Sequence, residues 1–215
     1  MVARRASVTQ QAIRAVSAGP VASLLVPHGF KRRAPHFWRE TDGIYQAVNF
    51  QASQWGTSED GQFTINLGVS SPALYMSFTG REFPKNPGTV LWPIYNRIGG
   101  LMPSRCDLWW HVADRTDLDT LASEVANALR DHALPFFERI RTAEQFNALL
   151  LSDEPVAGVT AAQRPLIGAT LAVQLGQSSE ARRMLHAALN DHRGKPFEST
   201  VRAVAKQLEV HLDGA

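Results

Sequence analysis

The 215-residue chain has a single cysteine, Cys106, which excludes an internal disulfide and a cysteine-based zinc site and fits a reducing compartment. It has no run of about 18 apolar residues, so no segment is predicted to span a bilayer. The longest apolar stretch near the start, 21–26, is interrupted by Ser23 and lacks the length and cleavage site of a signal peptide. The basic, serine-containing start reads as a solvated first helix, and the expected location is the cytoplasm. The motifs GxSxG, GxxxxGK[ST], GxGxxG, HExxH and CxxC do not occur, and none of the seven histidines has a partner four residues on. No catalytic residue, metal site or cofactor is therefore expected. Cys106 is expected to be buried rather than nucleophilic.

What is present describes a folded protein. Apolar residues make up 44% of the chain and charged residues 20%, which excludes wholesale disorder. The net charge of +2 is unevenly spread. Residues 1–40 hold seven Lys/Arg against Glu40 alone, 41–155 hold eight against fourteen acids, and 156–215 hold seven against five. A basic start can draw nucleic acid or an acidic partner, or pair with the acidic middle of the same chain. Its densest cluster is Lys31-Arg32-Arg33, the candidate partner-binding group. Nucleic acid is not expected as ligand, because three clustered charges and a net +2 are too little.

Periodicity predicts an α+β fold. Residues 8–25 carry an apolar helical stripe with a break at Gly19-Pro20. Strands are predicted at 30–40, 44–53, 62–70 and 107–113, with turns at Thr41-Asp42-Gly43 and Glu59-Asp60-Gly61. Phe63, Ile65, Leu67 and Val69 alternate with Gln62, Thr64, Asn66 and Gly68, the pattern of a strand with one buried and one polar face. Trp109 and Trp110 are expected on opposite faces. The proline-punctuated segment 71–93 reads as a long loop and candidate lid, followed by a short helix near 95–98. Helices are predicted from the capping boxes at Thr116 and Thr142, and three more follow beyond 159. The expected architecture is a four-stranded antiparallel sheet packed by helices on one face, spanning 1–152. A helical extension over 159–215 follows a boundary at 153–158. Around Leu175 to Leu189 that extension is similar to one tetratricopeptide repeat, too little for a repeat array.

One constellation stands out. Asn49 and Gln51 on one strand and Asn66 on the next are expected to share a face, bordered by Arg39, Arg97 and Trp109. Amides donate and accept, so such a face suits a neutral or polar ligand. A plain solvent-facing side, or a polar network that holds the fold, would carry the same pattern.

The ordered set Gly29-Phe30-Lys31-Arg32, Phe37-Trp38-Arg39, Val48-Asn49-Phe50-Gln51-Ala52-Ser53, Phe63 to Val69, Arg97-Ile98-Gly99 and Trp109-Trp110 resembles a bacterial family, domain of unknown function number 4304. The likeness covers about residues 10–150 and leaves the helical tail outside. It implies a compact α+β domain and no established activity, and it transfers no catalytic residue. The expected function is a protein-binding module of adaptor or immunity type. The alternative is a small ligand-binding protein or enzyme using the polar sheet face under segment 71–93.

Overall fold

A computed structural model describes residues 6–152 and 154–212. Arg4 and Arg5 of the basic start and Asp153 of the expected boundary lie outside the described residues. Helix α1 (Val8–Ala18) begins where the Ser7 hydroxyl accepts from the Gln10 N–H. It ends at Gly19, and Pro20 opens α2 (Pro20–Leu25), so the expected break is there. The expected first strand is divided by Ala34-Pro35 into β1 (Lys31–Arg33) and β2 (His36–Thr41). Asp42 and Gly43, both with positive φ, close the β2–β3 hairpin, as the primed turn of a two-residue loop requires. β3 (Ile44–Ala52) pairs along its length with β4 (Asp60–Ser70).

The sheet has six strands rather than the four expected. Its order is β1-β2-β3-β4, all antiparallel, and the far edge of β4 is shared end to end by two short strands. β5 (Ile94–Arg97) pairs with 66–69, and β6 (Trp110–Ala113) pairs with 60–63. β5 occupies the place of the expected helix near 95–98, and a 3-10 turn, Ile98–Leu101, follows it. β6 starts at Trp110, three residues later than expected.

One sheet face carries Phe37, Val48, Phe50, Phe63, Ile65, Leu67 and Val69, all buried with Val16, Val21 and Leu25 of the first two helices. Trp110 joins them, its ring 5.5 Å from Phe63. Also in this layer is a long helix opened by Asp117, whose carboxylate accepts from the Asp119 and Thr120 N–H groups. It runs as α4 (Leu118–Ala128), a wide turn at Leu129–Ala133 and α5 (Leu134–Glu138). In the wide turn the Leu134 N–H reaches back five residues to the Leu129 carbonyl. Pro135 follows with no N–H to give and a ring that would clash in a regular turn, which accounts for the widening.

The opposite face is covered too, so of the alternatives the plain solvent-facing side is excluded. β4 is buried on both sides, with Thr64, Asn66 and Ser70 all nearly inaccessible. Segment 71–93 lies against this face. It contains α3 (Pro72–Thr79), opened by the Ser71 hydroxyl, and a 3-10 turn at Pro87–Thr89. Phe83 packs 4.6 Å from the Tyr45 ring. The backbone of Val90 and Leu91 approaches so closely that a Cβ on Gly68 would stand 2.5 Å from the Val90 carbonyl.

Helix α6 (Ala143–Leu151) is capped by Thr142 as predicted. After it come α7 (Arg164–Gln174), α8 (Ser178–His192) and α9 (Glu198–Gln207). α7 has two apolar sides. Ile167 and Leu171 enter the core of the sheet, while Leu166, Ala169 and Ala172 form a second core with Leu185 of α8 and Val201 and Val204 of α9.

Arg164 fastens the junction between α6 and α7. Its guanidinium donates to the carbonyls of Leu149 (3.0 Å), Leu150 (2.7 Å), Ser152 and Glu154 (2.8 Å), closing the α6 C-terminus. Arg164→Ala is expected to cost about 2 kcal/mol, the range for bonds to a charged donor. That corresponds to a melting temperature lower by roughly 6 °C at this size. A thermal melt within a degree of wild type would show the four bonds to be idle.

Candidate functional site

Strand alternation puts Asn49, Gln51, Asn66, Tyr95, Arg97 and Trp109 on the face away from the first core. There they form a directed chain of hydrogen bonds. The Asn66 amide donates to Gln51 Oε1 at 2.7 Å, and the Tyr95 hydroxyl donates to Asn66 Oδ1 at 2.9 Å. Arg97 Nε donates to the Tyr95 oxygen at 3.2 Å. Arg97 Nη1 pairs with Asp107, and Trp109 Nε1 donates to the same carboxylate at 2.9 Å. The Arg97 guanidinium lies 4.9 Å from the Trp109 ring centre. Burial works to lower the Arg97 pKa, but Tyr95 and Asp107 outweigh it and raise the value. The Thr64 hydroxyl donates to the Leu108 carbonyl at 2.7 Å and so ties this end of the sheet to the lead-in of β6.

Four of the six residues proposed for the polar surface, Gln51, Asn66, Arg97 and Trp109, therefore meet. Asn49 is on the same face but bonds elsewhere, its amide 2.9 Å from His36 Nδ1. The Phe50 N–H also donates to Nδ1, so the neutral ring carries its proton on Nε2. Burial lowers the His36 pKa.

Arg39 does not border this surface. It has the parity of Phe37 and lies on the opposite face, 4% exposed. Its Nε donates to Gln46 Oε1 at 2.7 Å, Nη1 to the His28 carbonyl at 2.9 Å, and Nη2 to Glu138 at 2.7 Å. The guanidinium lies 4.8 Å from the Phe30 ring centre. Gln46 in turn donates to the carbonyls of Phe137 and Ile140, both at 2.7 Å, at the end of α5. Burial works to raise the Glu138 pKa, but Arg39 and Arg141 override it and hold the carboxyl below the ordinary range. Here the basic start of the chain does meet its acidic middle.

Lys31, Arg32 and Arg33 are all exposed on β1, whose one strand partner among the described residues is β2. Alternation splits them. Lys31 and Arg33 lean to the face of the amide row, where Lys31 Nζ sits 4.7 Å from the Trp38 ring centre, and Arg32 leans to the other. Cys106 is exposed rather than buried, because it stands in the turn before β6 with its thiol on the Ser104 carbonyl. Among the described residues no group of three or more His, Cys, Asp or Glu could hold a metal ion, and no helix is long and apolar enough to cross a membrane.

Sequence reasoning missed Tyr95 and Asp107. Each is two residues from a chosen residue, Arg97 and Trp109, and an extended reading of 95–97 would have placed Tyr95 beside Arg97. An open pocket of about 510 Å³ adjoins the row, lined by Tyr75, Pro84, Val90, Trp92 and Tyr95 among others. It takes in Tyr95 but not Asn49, Gln51, Asn66 or Arg97.

Residues 21–139 match the family described as "Domain of unknown function (DUF4304)". No curated protein and no solved structure matches the chain.

Proposed function

The chain belongs to the DUF4304 family of domains of unknown function, and from that premise we propose that it is a protein-binding module of the bacterial cytoplasm, of adaptor or immunity type. The observation that carries this reading is β1. It is a sheet edge of three consecutive exposed cations with one side already paired to β2. An edge strand offers its outer N–H and C=O groups to another extended chain. Six cations facing one another keep two copies of β1 from pairing, whereas an acidic extended segment is attracted. The mutual satisfaction of the polar row supports the same reading, since Gln51, Asn66, Tyr95, Arg97 and Asp107 already bond one another.

The test is capture from source-cell lysate with and without nuclease, followed by titration of any near-stoichiometric partner against Lys31→Ser/Arg32→Ser/Arg33→Ser. A nuclease-resistant protein is expected whose affinity falls at least tenfold in the variant, with a flatter salt dependence. A partner that binds the variant equally well removes β1 from the argument, and capture lost with nuclease removes the protein partner.

A second reading, a small polar ligand on the amide face, rests on the open pocket between segment 71–93 and Tyr95. Tyr95→Phe would then weaken that ligand without altering capture.

A further inference from the structure

On the first-core side of the sheet, an open pocket of about 510 Å³ lies between the 3-10 turn Val26–His28 and the end of the long helix. Its wall includes His28, Arg39, Arg130, Glu138 and Arg141. Three guanidiniums thus meet one carboxylate. Arg130 also pairs with its neighbour Asp131 at 2.9 Å, an exposed contact that an incoming anion can displace. The cluster keeps an excess of positive charge even when Asp131 is counted.

Arg39 makes the arrangement more than a basic surface. A guanidinium has five N–H donors, and three of those on Arg39 serve Gln46, His28 and Glu138. Among the described residues the other two have no acceptor, on a side chain 5% exposed that lines the pocket. Arg130 is carried by the wide turn Leu129–Ala133 that precedes Pro135, and wide turns of this kind recur at functional sites. Arg141 stands on the far side, 3.2 Å from Glu138.

We propose that this pocket is an anion site that takes a phosphate group carried on a small molecule. Guanidinium forks match phosphate oxygens in pairs, and a phosphate monoester brings three terminal oxygens and up to two charges to three forks. The volume falls in the range of small-molecule sites and exceeds what a phosphate group alone would fill. Pro27, Leu134 and Pro135 give the remainder of the ligand an apolar wall.

The experiment is isothermal titration of the full chain with inorganic phosphate and with phenyl phosphate, ionic strength being held constant with chloride. Saturable one-to-one binding is expected, millimolar for phosphate and tighter for the monoester. Arg130→Gln/Arg141→Gln is expected to weaken both at least tenfold with the unliganded melting temperature almost unchanged, because both side chains are exposed. Lys31→Ser/Arg32→Ser/Arg33→Ser is expected to leave both affinities as they are. Absence of saturation into the tens of millimolar, equal affinity in the double variant, or loss in the β1 variant would each overturn the assignment.

Discussion

Arg39→Ala is expected to destabilise the protein by about 3–4 kcal/mol, because it removes three bonds from a buried charged donor, one of them to a Glu138 carboxylate that is itself partly exposed. At this chain length that is a fall in melting temperature of roughly 10 °C or more. The size follows from what is left behind. Gln46 Oε1 loses its donor inside the protein, the part-buried His28 carbonyl loses its own, Phe30 loses the cation over its ring, and Glu138 loses its nearest positive charge. Arg39→Lys is expected to recover little, because one ammonium cannot reproduce a planar fork that reaches three acceptors in three directions. The loss has a pH signature. The Glu138 carboxyl is held below its ordinary pKa, so its contribution is present above that ordinary value and disappears as pH falls through the lowered one. Removing Arg39 lets the carboxyl return towards its usual range, so the variant has less of this contribution to lose, and its deficit relative to wild type should narrow as pH falls through that window. Thermal melts from pH 3 to 7 measure both effects. Coincident curves would mean that the buried guanidinium contributes nothing net.

Gly99→Ala is expected to be nearly as damaging, at about 3 kcal/mol, and to disturb the polar row as well. A Cβ at Gly99 would stand 2.0 Å from the Cys106 carbonyl oxygen and 2.7 Å from the Leu108 nitrogen. Both are backbone atoms, so no rotamer change relieves the contact, and 106–108 must move. That segment carries the Leu108 carbonyl held by Thr64 and the Asp107 carboxylate that links Arg97 to Trp109. The expected result is a lower melting temperature together with an altered near-ultraviolet circular dichroism signal from Trp109. Gly29→Ala is the comparison, since a Cβ there meets nothing within 4 Å and only its φ of 84° opposes it. It should cost about 1 kcal/mol and leave the tryptophan signal unchanged. Equal effects of the two substitutions would refute the steric argument.

These two sites also mark where reading the chain residue by residue succeeds and where it stops. Asn66 and Gln51 could be brought together on paper, because period-two alternation and a hairpin turn determine which residues share a face. The Gly19-Pro20 break and the cap at Thr142 are equally local, each resting on chemistry within three or four residues. The helix expected to be capped by Thr116 is instead capped one residue later by Asp117, and the Thr116 hydroxyl accepts from the Ala113 N–H. Arg39 shares the parity of Phe37, which argued for burial, but charge argued for the surface, and charge is the better guide for arginine in general. Its burial becomes possible through Glu138, a partner 99 residues away. β5 escaped for a related reason. It is four residues long, lies at a sheet edge and takes its extended form from β4, so a helical reading of its sequence met no local contradiction. The cover over the second face depends on how far segment 71–93 folds back, which no periodicity records.

The two-sided helix α7 decides where this protein can exchange parts with others. Ile167 and Leu171 belong to the sheet's core, so a chain ending at 158 would retain every strand and lose part of the wall behind them. The position at which foreign sequence can be grafted without opening that core is the turn at Gly176, beyond α7. A different tail from there onward would have to bring its own apolar stripe to cover Leu166, Ala169 and Ala172 of α7 and Phe78 of α3. α7 is in this sense an adaptor plate, fixed on its inner side by the sheet and open to replacement on its outer side.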